Sequence, residues 1–132
     1  MNSSGDVRKG IIRGLLTGGI TFVALLLILA AIYANADLSK GLLVAGTVMT
    51  QILPTFIGGY FSAHVCGRAG WKLGLAIAAG LNVMVLVAGL CISGLSLSLW
   101  FWLRFVLSLF AGTLGGVMGV NRKSHHDQKA FR

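Results

Sequence analysis

Charged side chains are scarce in this sequence. Asp, Glu, Lys and Arg make up 11% of its 132 residues, against about 25% in an ordinary soluble domain. Hydrophobic residues make up 56%, and the mean hydropathy is +0.87. A soluble fold could not cover its surface with so few charges, so lipid must be the solvent for most of that surface. The composition therefore excludes a soluble globular domain and predicts an integral membrane protein.

Carboxylates are scarcer still, with three aspartates and no glutamate, and none lies between residues 38 and 126. A proton- or cation-coupled transporter normally needs a carboxylate within the membrane, so coupled transport is disfavoured. No nucleophile has a base at a recognisable spacing, and His64, Cys66, His125 and His126 do not have the ligand spacing of a metal cage. We therefore predict no catalytic residue, no cofactor, no metal and no enzymatic activity.

Cysteine and proline are also rare, at two residues and one. Cys66 and Cys91 are predicted near opposite faces of the membrane, too far apart for a disulfide. Pro54 lies inside an apolar run, where it frees a backbone carbonyl and is predicted to kink the helix.

Four long apolar runs dominate the rest of the sequence. Each exceeds the ~20 residues that a helix needs to cross ~30 Å of hydrocarbon, and none alternates as a membrane strand would. We predict an all-α, integral membrane four-helix bundle over 11–120, with helices at about 11–33, 41–66, 73–94 and 97–120. Residues 1–10 are assigned to an N-terminal segment and 121–132 to a basic, mobile tail, both cytoplasmic.

Basic residues indicate the orientation of these helices, which short links make antiparallel. Lys40 and Arg104 are expected on one side of the membrane, and the other nine Lys and Arg on the opposite side, namely Arg8, Lys9, Arg13, Arg68, Lys72, Arg122, Lys123, Lys129 and Arg132. Membrane proteins carry their excess of Lys and Arg on the cytoplasmic side. We therefore predict a multi-pass protein of the bacterial plasma (inner) membrane with both termini in the cytoplasm.

The same topology explains other features of the sequence. Trp100 and Trp102 fall at the predicted outer interface and Trp71 at the inner one, where amphipathic rings favour the headgroup region. The net charge of +8 is accounted for without a nucleic-acid partner. The basic tail is expected to touch anionic lipid at the cytoplasmic face.

The first run also has an alternative interpretation as a cleaved secretory signal. Arg8 and Lys9 precede it and Ala34-Asn35-Ala36 follows it. The run is longer than the ~7–15 apolar residues of a signal peptide, which favours its retention as a helix.

An internal repeat relates the two halves of the sequence. Ile57-Gly58-Gly59 matches Leu114-Gly115-Gly116, and the first run matches the third, with Arg8, Gly10, Gly14 and Gly18 aligned with Arg68, Gly70, Gly74 and Ala78. Each helical hairpin is then one copy of a tandem, parallel repeat about an axis along the membrane normal. Chance is the alternative, because the chain has 19 glycines.

Small residues recur at four-residue steps in all four runs, which places them on one face of each helix where backbones can approach closely. They crowd toward the predicted cytoplasmic half, so we predict tight packing there and looser packing outside. Two interpretations are open: packing inside one bundle, or a face for dimerisation or sliding between hairpins. The predicted helix-packing positions are Gly14, Gly18, Gly58, Gly59, Gly74, Gly112, Gly115, Gly116 and Gly119.

Four polar side chains interrupt the apolar runs and form the candidate site. Gln51 and Asn82 lie near the middle of their runs, and Arg104 is the only charge well inside one. One interpretation is structural: an amide satisfies the carbonyl freed by Pro54 or hydrogen-bonds across helices, for about 0.6–2 kcal/mol, and Arg104 reaches the outer interface or pairs with Asp37. The other is a polar pathway of Gln51, Asn82, Ser108 and Arg104, or an anion or lipid-phosphate contact at Arg104.

The chain resembles an uncharacterised family of small four-helix membrane proteins of Firmicutes, over roughly residues 8 to 123. The resemblance is carried by Gly58-Gly59, by Gly67-Arg68-Ala69-Gly70-Trp71-Lys72-Leu73-Gly74 and by Gly115-Gly116-Val117-Met118-Gly119-Val120-Asn121. It implies four helices and a plasma-membrane location, and it implies no activity and no functional residues. Genes of that family often lie near the gene of the small accessory subunit of the preprotein translocase, which implies at most a role near secretion.

These features together predict a non-enzymatic accessory or scaffold subunit that acts by helix–helix packing, as a homo-oligomer or within a larger membrane complex. The alternative is a small homo-oligomeric transporter or channel, in which Gln51, Asn82 and Arg104 face a pathway. A membrane enzyme acting on lipid is disfavoured, because no carboxylate or histidine cluster lies at the predicted interface.

Overall fold

Four helices make up the part of the protein that the structure describes. The computed structural model describes residues 3–37, 39–67, 69–93 and 99–130, with side chains over 4–37, 39–67, 69–91 and 99–122. Each helix contains a stretch long and apolar enough to cross a membrane. The prediction of an all-α chain with four helices of membrane-spanning length is confirmed, and the helices are α1 (Ser3–Asn35), α2 (Lys40–Cys66), α3 (Gly70–Ser93) and α4 (Leu99–Ala130).

The N-terminal end of α1 and the C-terminal end of α4 extend beyond the apolar runs. α1 begins at Ser3, with Asp6 in its first turn, where a carboxylate favours the helix dipole. α4 continues to Ala130, so residues 121–130, which were assigned to the tail, are helical. Hydropathy marks where lipid ends rather than where a helix ends, and this segment contains no Gly or Pro to stop α4. The predicted cytoplasmic cations Arg68 and Arg132 lie outside the described residues.

A tight turn joins α2 to α3. Gly67 closes α2 in the left-handed region, with φ of 65°, and its N–H donates to the Ala63 carbonyl at 2.8 Å. Glycine meets this conformation without a Cβ clash. Ala69 also has a positive φ, of 48°, and its carbonyl accepts the N–H groups of Lys72 and Leu73. The turn reverses the chain within a few residues and makes α2 and α3 antiparallel neighbours.

The α2–α3 pair forms the centre of the bundle. α1 contacts both α2 and α3, and α4 contacts both as well. Among the described residues α1 makes no contact with α4. Each outer helix therefore docks against the central pair, from opposite sides.

On all four helices, the buried residues stop at about the same level along the length of the bundle. Toward the end that holds the α1–α2 and α3–α4 links, the last buried residues are Gly18, Thr50, Asn82 and Ser108. We call the part beyond that level, residues 19–37, 39–49, 83–93 and 99–107, the loop half, and the remainder the termini half. No residue with a described side chain in the loop half is buried. An open cleft of about 160 Å³ lies between α1 and α2 there, lined by residues that include Leu25, Ile28 and Met49, and Leu29 of α1 reaches across to Gly46 of α2.

The matched glycine pairs of the internal repeat contact different kinds of neighbour. Gly58 faces Gly14 within its own hairpin, whereas the aligned Gly115 faces Phe56 of the other hairpin. For the second pair the order is reversed: Gly59 faces Gly112 of the other hairpin, and the aligned Gly116 faces Gly70 of its own hairpin. A two-fold axis relating the hairpins would also bring α1 against α4, as α2 lies against α3. The contacts of the described residues do not have this symmetry, so the tandem repeat stays a prediction from sequence.

Candidate functional site

A chain of polar side chains crosses three helices at the level where burial ends. Gln51 Nε2 donates to Asn82 Oδ1 at 2.8 Å, and Asn82 Nδ2 donates to Ser108 Oγ at 2.5 Å. Ser108 Oγ in turn donates to the Phe105 carbonyl at 3.0 Å. Asn82 is 2% exposed and Ser108 is fully buried. The structure thus joins three of the four predicted polar residues through direct hydrogen bonds between α2, α3 and α4.

Pro54 lies just beside this chain on α2. It has no N–H, so the Thr50 carbonyl loses its usual helical donor. α2 is nevertheless one helix from Lys40 to Cys66, and Pro54 is buried within it. The Thr55 hydroxyl supplies added support by donating to the carbonyls of Gln51 and Ile52, at 3.1 and 2.8 Å. The Gln51 amide is therefore used between helices rather than on the backbone of α2, and the predicted kink stays a prediction.

Arg104 lies one turn beyond Ser108 toward the loop end, on the same face of α4. The residue is half-buried, and its Nε is enclosed with no hydrogen-bond partner in the described part of the chain. The two terminal nitrogens also have no partner among the described residues, but they are not enclosed. Asp37 is exposed and makes no ion pair with Arg104. Arg104 is thus outside the hydrogen-bonded chain, and its charge is uncompensated by any described side chain.

In the termini half, glycines bring the backbone of α4 into contact with the backbones of α2 and α3. A Cβ on Gly74 would overlap the Gly112 carbonyl oxygen, and one on Gly116 would overlap that of Gly70. A Cβ on Gly59 would lie 2.5 Å from the Gly112 oxygen. Gly115 and Gly119 are equally close to the carbonyl oxygens of α2, at Phe56 and Tyr60. No side chain fits between these backbones.

α1 docks on the central pair in a similar way. A Cβ on Gly14 would lie 2.5 Å from Ser62 Cβ and 2.8 Å from the Gly58 carbonyl oxygen, and one on Gly18 would lie 2.9 Å from Leu81 Cδ1. All nine predicted packing glycines contact another helix of the same chain. The Ser62 hydroxyl is buried in this contact and has no hydrogen-bond partner among the described residues.

Sequence reasoning missed the contact between Tyr60 and Arg122. Arg122 Nη1 donates to the Tyr60 hydroxyl at 3.3 Å, and the Tyr60 ring stacks on His64 with centroids 6.0 Å apart. No spacing in the sequence could predict this pair, because it depends on how α4 is rotated against α2. Among the described residues, no three His, Cys, Asp or Glu side chains come together. The side chains of His125 and His126 lie outside the described set.

Comparison with known proteins places the chain in a family. Residues 8–119, which include most of all four helices, match DUF3792, whose members are described as proteins of unknown function. The chain belongs to this family. No curated protein and no solved structure matches it. The prediction of an uncharacterised family is confirmed, and DUF3792 carries no activity that could be transferred.

The chemistry open to this member of DUF3792 follows from the residues at the level where burial ends. The amides of Gln51 and Asn82 and the hydroxyl of Ser108 form hydrogen bonds with one another, which fix how α2, α3 and α4 are placed relative to one another along the bundle. Arg104 adds a guanidinium group, which stays charged and whose planar set of N–H donors matches the oxygens of carboxylates and phosphates. The site can therefore fix helices and attract an anion, and each of these capacities is open to test.

Proposed function

We propose that this chain is a non-enzymatic accessory or scaffold subunit of the bacterial plasma membrane, which associates through its loop half with a second copy or with a larger membrane complex. The observation that carries the proposal is the single level at which burial ends on all four helices. The termini half completes its own packing with backbone contacts. The loop half has no buried side chain among the described residues, so its helix faces are available to another membrane protein.

The orientation of the proposed subunit rests on the placement of charge. Arg8, Lys9, Arg13, Lys72 and Arg122 are exposed around the termini end, and Lys40 is exposed at the loop end. An excess of Lys and Arg marks the cytoplasmic side. We therefore put both termini and the α2–α3 turn in the cytoplasm, which leaves the loop half in the outer leaflet.

Photo-cross-linking at matched positions tests the association. Leu103 and Leu114 lie on one face of α4, since eleven residues make about three turns, and they are 51% and 60% exposed. Leu27 and Leu16 form the same kind of pair on α1, at 67% and 59%. In each pair the first residue is in the loop half and the second in the termini half. A photoreactive phenylalanine is placed at each position in living cells, and adducts are identified by mass spectrometry.

The proposal expects one recurrent protein adduct, either the chain itself or a single partner, from Leu103 and Leu27 and not from Leu114 and Leu16. Migration of the protein above monomer size in mild detergent should accompany it. Adducts of lipid alone at all four positions, together with a purely monomeric protein, would remove the proposal.

A transporter or channel is supported by one observation, the alignment of Arg104 with the Gln51–Asn82–Ser108 chain. A pathway through a single chain would have to pass the termini half, where the backbones are in contact. A pathway would therefore run between copies. Anion flux into liposomes, compared for the wild type and Arg104→Ala, tests this second candidate. Flux that is absent, or unchanged by the substitution, rules out a pathway at Arg104.

A further inference from the structure

Arg104 is a cation in an apolar span, and no described side chain neutralises it. The sequence has no Asp or Glu between residues 7 and 36 or between residues 38 and 126, so the only carboxylate in α1 is Asp6 at the far, termini end. Asp37, the described carboxylate nearest to the loop end along the chain, is not paired with Arg104. A charge held in hydrocarbon without a partner is costly, and arginine cannot discharge it by losing its proton. The counter-ion of Arg104 must therefore come from outside the chain.

The depth of Arg104 indicates where that counter-ion lies. Arg104 is five residues beyond Leu99, the first described residue of α4, which is about 7–8 Å along the axis at 1.5 Å per residue. Trp100 and Trp102 are exposed between these two positions. Tryptophan rings favour the headgroup level. The guanidinium is thus within the reach of an arginine side chain from the layer that holds lipid phosphates.

The orientation of the guanidinium leaves one edge free. Its Nε is enclosed by the protein, whereas the two terminal nitrogens are not enclosed and have no partner in the described part of the chain. Those two nitrogens form the end of the donor fork that binds two oxygens of one phosphate. Because Arg104 continues the buried face of α4 into the loop half, a headgroup that reaches it would enter between helices rather than lie on the outer surface.

We propose that Arg104 is a binding site for the phosphate of a membrane lipid, held between the loop halves of the helices. The proposal needs only that the chain spans a membrane, and it does not depend on the accessory role. A carboxylate from a partner helix would meet the same charge, but the interfacial depth and the flanking tryptophans favour the phosphate layer.

Native mass spectrometry of the detergent-solubilised full chain tests the site. The probes are phosphatidylglycerol and a diglucosyl diacylglycerol of the same acyl chains, which has no phosphate. The variants are Arg104→Gln and Arg104→Lys, and the matched control is Lys40→Gln, which removes the other loop-end cation. Circular dichroism and gel filtration establish that each variant is folded.

The wild type and Lys40→Gln should retain phosphatidylglycerol alike. Arg104→Gln should bind it about ten- to a hundredfold more weakly, the range expected for loss of charge-assisted hydrogen bonds. Arg104→Lys should fall between them, because a lysine keeps the charge and loses the fork. The phosphate-free lipid should bind the wild type no better than Arg104→Gln. If Arg104→Gln does not fold, the difference between Arg104→Lys and the wild type decides the matter.

Several results would overturn the proposal. Equal retention of phosphatidylglycerol by all variants would show that Arg104 does not bind it. Equal affinity for the phosphate-free lipid would show that the phosphate is not recognised. Binding of added inorganic phosphate that depends on Arg104 would make this a site for a soluble anion. Loss of a protein cross-link at Leu103 in Arg104→Gln, with lipid binding unchanged, would assign the charge to a protein partner.

Discussion

The loop half of the bundle is richer in hydrophobic residues than the termini half, yet it is the termini half that packs closely. In the termini half the helices touch through backbone atoms at glycine, and in the loop half no described side chain is buried. In a bilayer, apolar side chains gain little by leaving lipid, so association depends on close van der Waals contact and on interhelical hydrogen bonds. The position of the glycines, rather than the amount of apolar surface, therefore decides in which half of this protein the helices pack tightly.

The largest effect is expected from the same substitution made in each half of α3. Gly74→Ala puts a methyl group into the Gly112 carbonyl, which is backbone and cannot move aside, so we expect a loss of about 3 kcal/mol in the free energy of unfolding. A Cβ on Gly89 would meet no neighbouring helix within 4 Å, and Gly89→Ala should be neutral or stabilise by up to about 1 kcal/mol. Unfolding by SDS titration, followed by circular dichroism, measures both. Equal losses would break the comparison.

The next effect concerns the boundary between the halves. Asn82→Leu removes two interhelical hydrogen bonds, and Gln51→Leu removes one. At about 0.6–2 kcal/mol per bond, we expect the Asn82 variant to lose about 2 kcal/mol and the Gln51 variant about 1 kcal/mol. The same SDS titration ranks them. A Gln51 variant less stable than the Asn82 variant would show that the chain is not centred on Asn82.

A third test separates two buried hydroxyls within the termini half. Ser62 Oγ has no partner among the described residues, so Ser62→Ala should raise the unfolding free energy by about 1 kcal/mol. Ser108 Oγ bonds both Asn82 and Phe105, so Ser108→Ala should lower it by about 1 kcal/mol. Thermal unfolding of the two variants side by side gives the sign of each change. The same sign in both would contradict the assignment of partners.

The smallest effect is expected one turn beyond the boundary. Arg104 bonds no described residue, so Arg104→Met should lower the unfolding free energy in lipid-free detergent by no more than about 0.5 kcal/mol. Ser108→Ala, four residues along the same helix face, serves as the comparison. A loss with Arg104→Met as large as that of Ser108→Ala would mean that the closed part of the bundle extends into the loop half.

The position of each polar residue along its helix could be predicted from the sequence. The direction in which its side chain points around the helix axis could not. Run lengths predicted four helices, and Gln51 and Asn82 were both predicted near the middle of their runs; a hydrogen bond now joins them. Arg104 was predicted together with Ser108, yet it has no partner among the described residues while Ser108 is bonded. Which side chains meet depends on helix rotation and tilt, and these follow from the packing of all four helices at once.

The glycine doublets show the same limit. Their sequences align, so Gly58 was matched with Gly115, but the first faces its own hairpin and the second faces the other. A Gly-Gly pair offers two adjacent faces about 100° apart around the helix, and the alignment does not say which neighbour takes which face. The ends of α1 and α4 differ from prediction for a separate reason, since helix propensity continues where hydropathy stops.

The separation of α1 from α4 has a consequence for how the chain is made. Among the described residues, the surface that receives α4 is formed by α2 and α3, and both of these helices precede α4 in the chain. α4 can therefore seat its glycines without waiting for α1 to find its place.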